Sequence, residues 1–151
     1  MYLNPMLKQA IAVAKKQGFD YVTQLRDGSL MMTPHRVVSL EVIERTAYEA
    51  MMKEAAAFNK DRLLRARRLS SVVYFIASQC LVKIGYATNL NERFSKIQML
   101  SPAPLRLLGV MPGSMADEEA LHERFAAQRT KGEWFWINDE IDAFIKEVSV
   151  L

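Results

Sequence analysis

The sequence predicts a small α/β (α+β) domain over residues 71–151, preceded by a helix–hairpin–long-helix region over residues 1–70. Three observations predict it. The chain of 151 residues is half hydrophobic and a quarter charged, which suits one buried core with a smaller appendage. In its second half, short apolar runs with strand character alternate with helix-like stretches, bounded by Gly, Pro, Ser and Asn. Between Leu40 and Leu69 there is neither Gly nor Pro, and Ala, Glu, Met and Arg dominate, as in a long helix.

Each element follows in chain order. Asn4 as N-cap, Pro5 at the first helical position and Gly18 beyond the end predict a helix from about Pro5 to Lys16. FDYVTQL and SLMMT, separated by Arg26-Asp27-Gly28, predict a hairpin that Pro34 ends. Leu40, Ile43, Ala47, Ala50, Met51 and Phe58 recur at helical spacing behind Ser39 as N-cap. That stripe weakens after Phe58, so the last turns are expected to leave the core as a basic connecting helix.

Val72–Ala77 and Leu81–Tyr86 read as strands joined tightly near Ser78-Gln79. Thr88 or Asn89 caps a helix reaching Leu100, with Asn89 and Glu92 forming a capping box. Leu105–Val110 reads as a third strand. Ser114 begins a helix through Leu121 to Gln128 that ends near Gly132; Glu133–Ile137 is extended, and Asn138 caps a final helix to about Val148. The expected order is ββαβα-extended-α, with a three-stranded, mostly antiparallel sheet.

Composition excludes several classes. No run of about eighteen apolar residues occurs, so no membrane span is expected. The apolar patch Ile11–Ala14 is too short for a secretory signal. A single cysteine, Cys80, rules out an internal disulfide framework and fits a reducing, cytoplasmic setting. With only His35 and His122 beside it, a closed structural zinc site is not expected. The net charge of +3 is uneven: residues 1–71 carry twelve Lys and Arg against seven Asp and Glu, the remainder eight against ten. The run from Lys60 to Arg68 (Lys60, Arg62, Arg65, Arg67, Arg68) is either a solvated helix face or a hand for nucleic-acid phosphates.

The residues able to carry chemistry lie in two stretches. A two-residue connection at Ser78-Gln79 sets Tyr74 opposite Lys83, on one sheet face with Val72 and Gly85, whereas three residues there would send the two to opposite faces. Such a cross-strand pair is ordinarily surface decoration. Gly85, inside a strand, marks close approach of another backbone or a ligand. Arg93 falls at the border of core and solvent on the next helix, placed either to fork a phosphate or to snorkel along the helix edge. His122 accompanies the core pair Leu121 and Phe125, and Tyr86 falls on the opposite strand face. Glu133 enters an apolar extended segment before Trp134-Phe135-Trp136, so it needs a partner: a divalent cation or a structural Lys or Arg.

VYFI, VKIGYA, NERF, HERF and GEWF, in this order across residues 72–145, resemble the GIY-YIG nuclease superfamily, closest to the phage and bacterial branch with Lys in the second motif. The resemblance implies a metal-dependent DNA endonuclease. In it, Tyr74 would act as general base or orient the nucleophilic water, assisted by Lys83, whose charge would lower the phenol pKa. Arg93 would grip the phosphate, His122 would position water or phosphate, and Glu133 would hold Mg²⁺ or Mn²⁺. The first motif reads VYF and the second KIG, which leaves a binding module without turnover as the alternative. DNA is the expected partner through its phosphate backbone, with the basic helix lending affinity. That long helix is equally a candidate dimerisation surface.

Overall fold

The computed structural model describes residues 12, 22–24, 30–32, 36–38 and 40–151, with side-chain surroundings from Arg45 onward. The chain divides into two compact units, Met1–Glu54 and Ala55–Leu151. In the first unit, strands β1 (Val22–Gln24), β2 (Leu30–Met32) and β3 (Arg36–Val38) form an antiparallel sheet in that order. β1 and β2 pair Val22 with Met32, as the hairpin reading requires. β3 extends the sheet beyond Pro34, pairing Met32 with Arg36; the sequence predicts no strand there, because three residues offer too little alternation. The Asp27-Gly28 turn lies outside the described residues, as does most of the helix expected over Pro5–Lys16. Helix α1 follows (Leu40–Ala66).

The second unit is a mixed α+β domain built on β4 (Val72–Ser78), β5 (Leu81–Ala87), α2 (Leu90–Leu100), β6 (Arg106–Pro112), α3 (Met115–Arg124), β7 (Arg129–Lys131), β8 (Trp134–Trp136) and α4 (Asp139–Val148). The sheet has five antiparallel strands in the order β6-β4-β5-β8-β7, where the sequence predicts three. The two extra strands are a short hairpin. β7 (Arg129-Thr130-Lys131) is exposed throughout and so lacks the apolar alternation by which strands are read. Gly132 turns the chain at φ +59°, a left-handed conformation glycine adopts without steric cost. β8 then pairs with β5, Val82 against Phe135 and Lys83 against Trp134.

β4 lies inside the sheet between β6 and β5 and is buried on both faces, hence its unbroken apolar run. Above one face lies a core of Val72, Tyr74, Ile76, Leu90, Phe94 and Leu107, closed by α2 and the end of α1. Below the other lies a core of Val73, Phe75, Ile84, Phe125, Phe135 and Ile141, closed by α3 and α4. Asn89 caps α2 by accepting from Glu92 N, and Asn138 caps α4 by accepting from Ile141 N.

The last turns of α1 do not leave the core. Asn59 and Ala66 are buried and Leu63 packs on the first core. The reason is the free edge of β6. Asn59 Nδ2 donates to Leu105 O at 2.7 Å, and its Oδ1 accepts from Leu107 N at 2.8 Å. Between Gly109 and Leu107 the register with β4 slips, leaving Leu108 as the extra residue; its carbonyl accepts from Arg62 Nη1 at 2.8 Å. An edge strand with a bulge presents unpaired backbone groups, and α1 satisfies them. A polar Asn on this helix face breaks the apolar stripe that sequence reading relies on.

Candidate functional site

The β4–β5 hairpin sets the site. Its turn is Gln79-Cys80, with Gln79 at φ +57°, one residue later than expected. Pairing therefore shifts by two residues: Tyr74 faces Gly85, and Lys83 faces Ile76. A shift of two preserves side-chain parity, so Tyr74, Lys83 and Gly85 still share a face. Gly85 is there for Tyr74. A Cβ on it would lie 2.3 Å from Tyr74 Oη and 2.4 Å from Cζ, so only glycine lets the ring cross. The phenol so placed accepts a hydrogen bond from Arg93 Nε on α2 at 3.3 Å.

Lys83 Nζ donates to Glu133 Oε2 in a salt bridge, and lies 5.8 Å from the centre of the Trp134 ring. Of the two partners open to Glu133 from sequence, this is the structural lysine rather than a divalent cation. Burial pushes the Glu133 carboxyl up, but the bond and charge of Lys83, with the charges of Arg93 and His122, outweigh it and hold the carboxyl below its ordinary value. Tyr74 goes the other way. Burial raises its phenol above the ordinary value, and the opposing bond and charge of Arg93 do not offset it; the charges of Glu133 and Glu118 raise it further. The expectation that Lys83 lowers the phenol pKa is thus overturned: Lys83 is engaged with Glu133 instead.

β8 begins at Trp134, so β5 loses its strand partner beyond Lys83. There Ile84 N donates to Glu133 O at 3.1 Å, and Ile84 O faces His122 Nε2 at 2.9 Å. Arg129 Nη2 approaches the other ring nitrogen, Nδ1, at 3.3 Å. In the neutral ring these partners place the proton on Nε2 and the lone pair on Nδ1; in the protonated ring Nε2 still donates to Ile84 O. His122 therefore closes the sheet edge beside Glu133, its ring packed on Phe135 at 5.2 Å. Glu118, one turn earlier on α3, sits 3.7 Å from His122 with only 15% of its side chain exposed. Sequence reading missed it, although the i, i+4 spacing of Glu118 and His122 was visible.

Tyr74, Lys83, Arg93, His122 and Glu133 are thus gathered at one rim, where Tyr74 and Glu133 each feel the charge of Arg93. A cleft of about 380 Å³ opens beside them, lined by Lys83, Arg93, Lys96, Leu100 and Trp134. The basic run is dispersed. Arg62 serves the β6 bulge and stacks on Phe58 at 4.6 Å. Arg65 pairs with Asp61 in solvent. Arg67 lines a second cleft, of about 560 Å³, against the start of α2, while Lys60 and Arg68 are exposed. Among the described residues, no cluster of three or more His, Cys, Asp or Glu could hold a metal. Glu133, ionised and 38% exposed, suits only a cation that keeps most ligands as water or substrate oxygens, as Mg²⁺ does.

Fold and site define a small α+β domain that holds a phenol, a guanidinium and a Lys–Glu pair at the rim of a basic cleft. The chain belongs to the T5orf172 domain family, whose model matches residues 71–149. That finding overturns the resemblance to the GIY-YIG superfamily, a different family. The motif pieces behind the resemblance have local folding reasons here: Gly85 admits the Tyr74 ring, and Gly132 with Glu133 turns the β7–β8 hairpin. No curated protein matches the chain, and no solved structure does. No helix among the described residues is long and apolar enough to cross a membrane.

Proposed function

We propose that the protein is a metal-dependent endonuclease that hydrolyses DNA phosphodiester bonds at this rim. The observation that supports the reading is the meeting of the Tyr74–Arg93 and Lys83–Glu133 pairs beside a cleft to which Lys83, Arg93 and Lys96 contribute. A phosphodiester needs its charge offset, a water oriented for attack and the leaving oxygen relieved of charge. Arg93 takes the phosphate by exchanging its weak bond to the phenol for charge-assisted ones. Tyr74 then keeps its proton, as its raised pKa requires, and orients water or phosphate as a donor rather than acting as a resting base. Glu133 would hold a divalent cation, Mg²⁺ or Mn²⁺, that offsets phosphate charge when bound. Lys83 keeps that carboxylate ionised, and His122 fixes the backbone beneath it.

Lys83 already occupies one oxygen of Glu133, and this favours a second reading, a DNA-binding module without turnover. Cleavage of single- and double-stranded DNA with Mg²⁺, Mn²⁺ or EDTA, for wild type and Glu133→Ala, decides between them. Metal-dependent cutting lost in the variant supports the nuclease. Salt-sensitive binding without cutting in both proteins supports the module.

A further inference from the structure

We propose that the cleft beside the rim receives an unpaired nucleotide next to the phosphate held by Arg93, so that the substrate is a DNA strand with unstacked bases at the cut. The inference rests on the reading above for the phosphate, and on separate observations for the base. The cleft has two unlike walls. One is the last turns of α2, where Lys96 and Leu100 face inward beside Arg93. The other is β8, where Trp134 lines the cleft. Alternation along β8 puts Trp134 and Trp136 on one sheet face, opposite Lys83 and Leu81 of β5, with Phe135 turned into the core below. Trp136, two residues further along that face, is 54% exposed and lies outside the cleft lining.

The lining carries three cations and no carboxylate. Lys96 pairs with Glu92 on its own helix, both partners being about 60% exposed, so a phosphate displaces that carboxylate at little cost. Cations tracking a backbone beside aromatic faces are what an unpaired strand requires, because each base stacks through its π-face whatever its identity. A duplex hides those faces within its own stack. Exposed Leu100, at the mouth, adds apolar surface for the base or sugar.

The test uses the full chain in EDTA, with a 3′-labelled single-stranded oligonucleotide and the duplex of the same sequence as probes. Anisotropy gives the affinities, and quenching of tryptophan emission reports stacking. The single strand is expected to bind more tightly than the duplex and to quench emission. Trp134→Leu, in the cleft wall, is expected to weaken the single strand about five- to a hundredfold and leave the duplex nearly unchanged. Lys96→Ala is expected to reduce the slope of log affinity against log salt by about 0.7 for the single strand. Equal binding of both probes, binding without quenching, no binding of either, or indifference to Trp134→Leu overturns the inference. Single-strand preference without metal-dependent cutting would sustain the cleft and sink the nuclease; cutting without that preference would do the reverse.

Discussion

The ring of Tyr74 crosses directly over Gly85, its cross-strand partner, and this packing brings the phenol to Arg93. A methyl group at position 85 cannot coexist with the ring, because the near atoms belong to a fully buried side chain rather than a flexible end. Gly85→Ala is therefore expected to cost about 1–3 kcal/mol through overpacking and to break the Tyr74–Arg93 bond. Urea unfolding should show a lower midpoint with unchanged slope, and DNA cleavage should fall with it.

Tyr74→Phe separates packing from chemistry. It keeps the ring and loses one long hydrogen bond at the rim, so stability should move by less than about 1 kcal/mol. Cleavage should drop by at least about a hundredfold. Because the phenol titrates above its ordinary value, wild-type and variant rates should run parallel between pH 6 and 9. A tenfold rise per pH unit present only in the wild type would instead make the phenolate the working form.

The Lys83–Glu133 pair sets an acid-sensitive step. Its carboxyl has a folded pKa below the unfolded value, so the pair's contribution is complete above the ordinary carboxylate range and disappears as pH falls through the folded value. Partial exposure of Glu133 limits that contribution to under about 1 kcal/mol. Lys83→Met should move the Glu133 titration upward, followed by carboxyl carbon NMR, and should flatten the acid limb of stability. An unmoved titration would show that Arg93 and His122 suffice.

Much of this was legible in the sequence, and the failures have identifiable causes. The strands β4, β5 and β6 and the caps Asn89 and Asn138 follow from period and capping chemistry. Gathering of Tyr74, Lys83 and Arg93 on one face survived a wrong turn position because parity is unchanged by a shift of two. Three things were hidden. β7 is short and fully polar, so its pairing is decided by Gly132 and by β5 rather than by its own pattern. The partner of Lys83 depends on where β8 docks, fifty residues later. Asn59 and Arg62 look like a solvated basic helix until the free edge of β6 is placed beside them.

Asn59 makes that docking testable. Its amide both donates to and accepts from the β6 backbone within the interior. Asn59→Leu leaves a buried carbonyl and a buried amide without partners, at an expected cost of about 2–4 kcal/mol. Thermal unfolding would record it, and hydrogen exchange at Leu107 N should accelerate beyond its neighbours. A change below about 0.5 kcal/mol would mean that water replaces the side chain.

The basic end of α1 should likewise divide into two groups in solution. Arg62 is held by Leu108 O and Phe58, so Arg62→Ala should reduce stability while leaving the salt dependence of DNA binding as it was. Arg65, Arg67 and Arg68 are exposed, Arg65 against a largely exposed Asp61 whose attraction is small. If they meet duplex phosphates, neutralising each should lower the slope of log affinity against log salt by about 0.9. The triple alanine variant should then bind duplex DNA with a slope smaller by roughly two to three, the sum over the three arginines, and an unchanged melting temperature. An unaltered slope would take the helix out of DNA binding and leave the affinity to the cleft cations Arg93 and Lys96.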